Sequence, residues 1–170
     1  TLTNAANSFT GDVNVMNGWV TVAGDAFLGD PANRIVFGGT ASGFRAAGTF
    51  STARTVAMFS GTSTANVQVV GGSTLTLTGS LANTGSATQL VMGDNGTLVL
   101  AGAGPASWSA SITAPGASAQ TLTGGLLVPS GLVRLTNGSA LGSPSNIASV
   151  SNTQGAAIAL SGGITVPNAI

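Results

Sequence analysis

Short apolar–polar alternations recur along this chain. They read Val13-Asn14-Val15, Trp19-Val20-Thr21-Val22, Val67-Gln68-Val69, Leu75-Thr76-Leu77, Leu98-Val99-Leu100, Val133-Arg134-Leu135, Ala156 to Leu160 and Ile164-Thr165-Val166. Each is three to five residues long and flanked by Thr, Asn or Gly, the period-two mark of a short strand. Thr1-Leu2-Thr3 reads the same way. Turn formers separate the alternations: Asn17-Gly18, Gly38-Gly39, Gly71-Gly72, Asn95-Gly96, Gly124-Gly125, Asn137-Gly138 and Gly162-Gly163. A helical period is close to absent, and the helix formers Glu and Lys do not occur. The pattern predicts an all-β protein.

Two all-β architectures fit short strands. A sandwich or up-and-down barrel calls for strands of about five residues or more in an even hairpin rhythm. A β-helix calls for several shorter strands per coil, joined by tight Gly/Asn turns, with each coil stacked on the next after about twenty residues. Stacking like on like fills the interior with Val, Ile, Leu and Ala and leaves Thr, Ser and Asn outside. That composition predicts a parallel β-helix (β-solenoid). Eight or so coils, rising about 4.8 Å each, would make a rod on the order of 40 Å long.

An internal repeat supports the solenoid. Residues 18–33, GWVTVAGDAFLGDPAN, align without a gap on residues 131–146, GLVRLTNGSALGSPSN. The identities are Gly18/Gly131, Val20/Val133, Leu28/Leu141, Gly29/Gly142, Pro31/Pro144 and Asn33/Asn146. Upstream, Leu2 to Phe9 resembles Leu100 to Trp108; downstream, Gly43 to Val56 pairs more loosely with Gly155 to Ile170. The second copy carries about fourteen extra residues between the aromatic and the next matched Gly, room for most of one coil. Residues 1–170 thus form one solenoid segment of about one and a half repeat units, expected to belong to a longer repetitive chain.

Charge narrows the functional classes. Of the 170 residues, Lys+Arg and Asp+Glu number four each, 5% of the chain, with no His and no Cys; an ordinary domain is about 25% charged. A neutral chain with four scattered Arg lacks the basic footprint of a nucleic-acid binder or of an anionic membrane surface. No apolar run reaches the length of a spanning helix. Zinc, haem, iron–sulfur and copper sites lose their usual ligands. A Ser-His-Asp triad has no base, and there is no thiol nucleophile.

Asp94-Asn95-Gly96 and Gly24-Asp25 invite calcium, but Asp12, Asp25, Asp30 and Asp94 show no nine-residue spacing to supply the six to eight oxygens required. Stacking could bring Asp12 near Asp30, or Asp25 near Arg45, as in β-helical glycosidases; without His, Lys or Glu, turn chemistry accounts for them better. Arg34, Arg45 and Arg54 read as solvated or paired with Asp25 and Asp30. Phe9, Trp19, Phe27, Phe37, Phe44, Phe50, Phe59 and Trp108 read as core stacks or packing under turns, with a surface member as a candidate sugar contact. No catalytic, metal or cofactor site is expected.

The segments NSFTGDVNVMNGWVTVAGDAFLGDP (7–31), TLTLTGS (74–80), GTLVLAGAG (96–104) and GLVRLTNGSALGSP (131–144) together resemble the passenger-associated repeats of bacterial autotransporter proteins. In that family a G-T-L-x-L strand leads through a small-residue turn and an aromatic to T-G-x-x-x-V, G-x-L-x-V and an A-L-G-x-P ending. Gly96 to Leu100 matches the first strand, Phe9-Thr10-Gly11 the aromatic step, and Gly18 to Val22 and Ala140 to Pro144 the close. Trp108 departs, being followed by Ser109-Ala110 instead of Thr-Gly. The resemblance implies a right-handed parallel β-helix at the surface of a bacterium or released from it. It carries no catalytic residue over.

The expected role is therefore a non-catalytic β-solenoid segment of an extracellular or cell-surface fibre: a stalk, a spacer or a filament subunit. Its partners would be neighbouring repeat units or further copies end to end, and an outer-membrane β-barrel translocator in the parent chain. The alternative is an adhesin or carbohydrate-binding module, with residues 105–130 or a Thr/Asn-rich face touching surface glycans.

Overall fold

The structure, a computed structural model, describes residues 1–39, 42–59, 64–83, 89–104, 111–113, 121–123, 125–128, 130–150 and 155–170. Its strands form three parallel stacks. Sheet 1 holds β1 (Val13–Val15), β3 (Ile35–Phe37), β6 (Val56–Met58) and β9 (Leu81–Asn83). Sheet 2 holds β2 (Gly18–Val22), β4 (Ser42–Ala46), β7 (Ala65–Val69), β10 (Gln89–Gly93), β14 (Gly125–Val128) and β16 (Ile147–Val150). Sheet 3 holds β5 (Phe50–Thr52), β8 (Thr74–Leu77), β11 (Thr97–Leu100), β15 (Leu132–Leu135) and β17 (Ala157–Leu160). From β3 to β11 the chain visits the three sheets in turn and climbs one strand each time round; among the described residues the first turn has no sheet 3 strand and the last two have no sheet 1 strand. It is a β-solenoid of about five turns, with no α-helix among the described residues.

Like side chains stack inside. Leu75, Leu98, Val133 and Ile158 lie in register on sheet 3, beside Leu77, Leu100, Leu135 and Leu160. Sheet 2 aligns Val20, Phe44, Val67 and Met92, and sheet 1 aligns Val13, Ile35, Val56 and Leu81. Most of these inward residues are fully buried and belong to one continuous core. Burying each large aliphatic contributes about 1.5–3 kcal/mol, and every rung repeats that contribution on the rung below.

Five turns replace the expected eight, so the rod is about 24 Å long instead of 40 Å. One reason is the length of a turn. Residues bonded across one rung are 22 apart at Arg34 and Asp12 and 25 apart at Thr74 and Thr49. The other is the inserted segment, where Asn137 bonds to Ala101 36 residues back. That excess of 11 to 14 residues is too short for another turn. It carries an antiparallel pair, β12 (Ser111–Thr113) with β13 (Thr121–Thr123). The insert does not shift the sheet above it: Leu98 still faces Val133.

Two predicted strands are absent. Thr1-Leu2-Thr3 is irregular, with one backbone bond from Leu2 N–H to the Thr21 carbonyl. Ile164 to Val166 is irregular too, although Ile164 and Val166 pack against the core. Apolar alternation places such side chains, but strand geometry needs a ladder on at least one side.

The two copies of the repeat share a corner. Leu28 and Leu141 are buried, Gly29 and Gly142 take the left-handed φ values of 71° and 72°, and Asn33 and Asn146 are buried. Each Asn Nδ2 donates to the carbonyl five residues earlier, Leu28 at 3.1 Å and Leu141 at 2.6 Å. A side chain at Gly29 would collide with the Phe9 carbonyl, which is why the turn keeps glycine. The copies nevertheless stand on different faces: Gly18–Val22 is in sheet 2, whereas Leu132–Leu135 is in sheet 3. The first corner, a 3-10 turn at Asp25–Leu28, packs under β5. The second continues the line of sheet 1, where Leu81 bonds Ala103 and Gly104 bonds Ser139.

Candidate functional site

Three of the four Arg are tied to three of the four Asp: Arg54 takes Asp25, one of the two partners expected, whereas Arg34 and Arg45 take Asp12 and Asp94. Arg34 forks onto Asp12 on the surface, with Nε 3.1 Å from both carboxylate oxygens. This contact holds the Asp12 carboxyl below its ordinary value and raises the Arg34 guanidinium. Arg45 reaches Asp94 at 3.3 Å, 49 residues away and two turns up the rod. Arg54 is bound to Asp25 through Nε–Oδ1 at 2.8 Å and Nη2–Oδ2 at 3.2 Å. Among the described residues Arg134 has no ion pair and lies exposed on β15.

The Arg54 side chain, 1% exposed, differs in kind from the others. Besides Asp25 its guanidinium donates to the carbonyls of Gly29, Asp30, Asn33 and Asp25. It therefore satisfies backbone acceptors of the first corner that the chain's bend leaves without ladder partners. Asp30 has a local part: its Oδ1 accepts from the Ala32 N–H at 2.8 Å. The four Asp thus each have a cation or a turn to serve, and no group of three potential metal ligands occurs among the described residues.

The aromatics divide. Phe37 and Phe44 are buried in the core, and Phe27 and Phe50 pack against it from the side. Phe9, Trp19 and Phe59 are exposed by 42%, 47% and 37%, which corrects their reading as core or as cover under turns. Trp108 lies outside the described residues.

Two surface features result. On sheet 1, Asn14, Met16, Val36, Gly38 and Phe59 line an open groove of about 320 Å³. The Arg34 guanidinium stands 6.0 Å from the Phe59 ring centroid at its side. On sheet 2 the outward positions make two ladders: Trp19, Gly43, Asn66, Val91, and beside it Thr21, Arg45, Gln68, Gly93.

Comparison with family models, with curated proteins and with solved structures finds no match. Function must therefore be argued from the chain's own geometry.

Asp94 adds a local oddity to the second ladder. It is the non-glycine residue with a left-handed backbone, at φ 69°, a conformation that costs of order 1 kcal/mol or more. Ser130 Oγ donates to its carbonyl at 3.0 Å, and its own Oδ1 accepts from the Asn95 N–H at 3.1 Å. The turn thereby aims the other oxygen at Arg45. The sequence sets calcium aside at Asp94-Asn95-Gly96 in favour of a turn, and the turn found there also serves an ion pair across two rungs.

Proposed function

We propose that this chain is a structural β-solenoid segment of a bacterial cell-surface or secreted fibre, acting as stalk, spacer or filament subunit without catalysis. The observation that carries the reading is the unbroken register of sheet 3. Leu75–Leu98–Val133–Ile158 and Leu77–Leu100–Leu135–Leu160 stay aligned across an insert that changes the turn length from 25 to 36 residues. A rod whose axis tolerates such variation suits a scaffold that holds other parts at a set height. Low charge fits as well, because cohesion by buried aliphatics and backbone ladders is little affected by salt. Its partners in this reading are neighbouring repeat units end to end and, in the parent chain, an outer-membrane β-barrel translocator of the kind the passenger-repeat resemblance implies.

The test is removal of one turn in register. Leu81 stacks on Val56, so deleting residues 56–80 brings Leu81 into the place of Val56. The shortened chain is expected to keep its β-sheet circular dichroism and lose about 4.8 Å of length in small-angle scattering. Antibodies to the segment are expected to label intact cells that make the parent chain. Labelling only after permeabilisation, or loss of an enzymatic activity of the parent on deleting this turn, would refute the spacer reading.

A further inference from the structure

We infer that the outer face of sheet 2, across β2, β4, β7 and β10, binds a neutral polysaccharide strand, with Trp19 as its stacking platform. This goes beyond the spacer reading and does not depend on it.

The argument begins with Trp19. It sits on the first strand of the sheet, in register with Gly43, and is 47% exposed. A methyl group at Gly43 would run into Cε3, Cζ3 and Cδ2 of the indole at nearly equal distances. The six-membered ring therefore lies flat over the glycine, with its other face to solvent. Flat exposure of a large ring is costly in water, and burial of that face is what a ligand would restore.

The neighbours of this ring specify the ligand. Going up the rod, Asn66 follows Gly43, while Thr21, Arg45 and Gln68 form the adjacent ladder and Asp94 caps it. Asn66 uses its Nδ2 on the Ser42 carbonyl at 3.0 Å, which leaves its oxygen available as an acceptor. The Trp19 indole N–H and the Gln68 amide make no hydrogen bond among the described residues. Donors and acceptors in planar, half-buried groups next to a bare aromatic face match a pyranose, which is apolar on its ring face and hydroxylated at its rim. The one cation of this face is neutralised by its one anion, Arg45 with Asp94. A sulfated, phosphorylated or uronic polymer would find no free positive charge here, and a protein hot spot would want apolar neighbours around the tryptophan. Rungs repeat every ~4.8 Å, about the advance of a sugar in an extended chain, so successive sugars meet successive rungs. The groove on sheet 1 has no comparable set of free planar donors.

Affinity electrophoresis tests this with the full chain in native gels containing hydroxyethylcellulose, dextran, mannan or xylan, with dextran sulfate and heparin as polyanion controls. At least one neutral polymer is expected to retard the protein. Trp19→Ala is expected to weaken retardation about tenfold, Gly43→Ala to weaken it by displacing the ring, and Trp19→Phe to retain part of it. Equal melting temperatures of Trp19→Ala and the parent protein show that the fold is intact. The proposal falls if no neutral polymer retards the protein, if Trp19→Ala is retarded like the parent, or if only the polyanions bind. Because the spacer test measures length and location, either proposal can fail alone.

Discussion

Replacing Arg54 by methionine removes a buried cation while keeping an unbranched side chain of similar reach. Four acceptor groups lose the donor they have, the Asp25 carboxylate and the carbonyls of Asp25, Gly29 and Asn33, while the Asp30 carbonyl keeps the Asn33 N–H at 2.9 Å. The bonds to Gly29 and Asn33 are fully buried, and a buried acceptor left alone costs about 1–3 kcal/mol. Asp25, whose side chain is 32% exposed, can take up water and adds less. Together these terms give about 3–5 kcal/mol, the range for breaking one side of a buried pair. The effect should be local first. Arg54 joins the second turn to the corner 25–33, so the first turn should lose amide hydrogen-exchange protection at Val13–Val15 and Gly18–Val22 before sheet 3 does. Urea unfolding followed by circular dichroism measures the total, with Arg34→Met as the reference. The Arg34–Asp12 pair is exposed to solvent and should contribute much less. An Arg54→Met loss no larger than that of Arg34→Met, or uniform loss of protection along the rod, would show that Arg54 does not hold the first turn.

Val133→Asp puts an unpaired charge at a fully buried rung between Leu98 and Ile158; a loss of several kcal/mol, or failure to fold, is expected in thermal melts. Ser139→Ala, at an exposed position whose bonds are made by its backbone, should melt within about 1 °C of the parent. Asn33→Ala and Asn146→Ala should each cost about 1–3 kcal/mol in urea titrations, since each deletes a buried donor from the same corner; a large effect at one and none at the other would deny their equivalence. Melting temperature should be flat from about pH 5 to 9, as expected of a chain without His or Cys. The Asp12 carboxyl is depressed from 3.8 by its hydrogen bonds to Arg34. Its contribution is therefore present above that value and is lost only as the pH falls below it. Arg34→Met should remove part of this acid-side decline in a pH series of melts.

Much of the solenoid was legible because its outer face is polar. Leu75-Thr76-Leu77 and Val67-Gln68-Val69 alternate because one side meets the core and the other meets water. Ile35–Phe37 and Val56–Met58 did not register as strands: all three positions of each are buried, so burial on both faces erased the period. Ser42–Ala46 escaped for the opposite reason, since Ser42 and Gly43 hold buried positions without looking apolar. The matched Leu-Gly-x-Pro-x-Asn stretches were visible as a repeat, and their shared corner was implied by the identities Gly29/Gly142 and Asn33/Asn146.

The face on which each copy stands was decided elsewhere. A strand and its corner form a local unit, whereas the side of the rod they occupy depends on how many turns and inserts precede them. Charge pairing has the same origin. Composition shows four Arg and four Asp, and stacking alone determines that Arg45 meets Asp94 across two rungs, that Arg54 is buried with Asp25, and that Trp19 lies on Gly43. Such contacts join residues tens of positions apart. Period and propensity act over a few residues, so they specify the rungs; only the closed stack, which sets every rung against its neighbours, specifies what the rungs bring together.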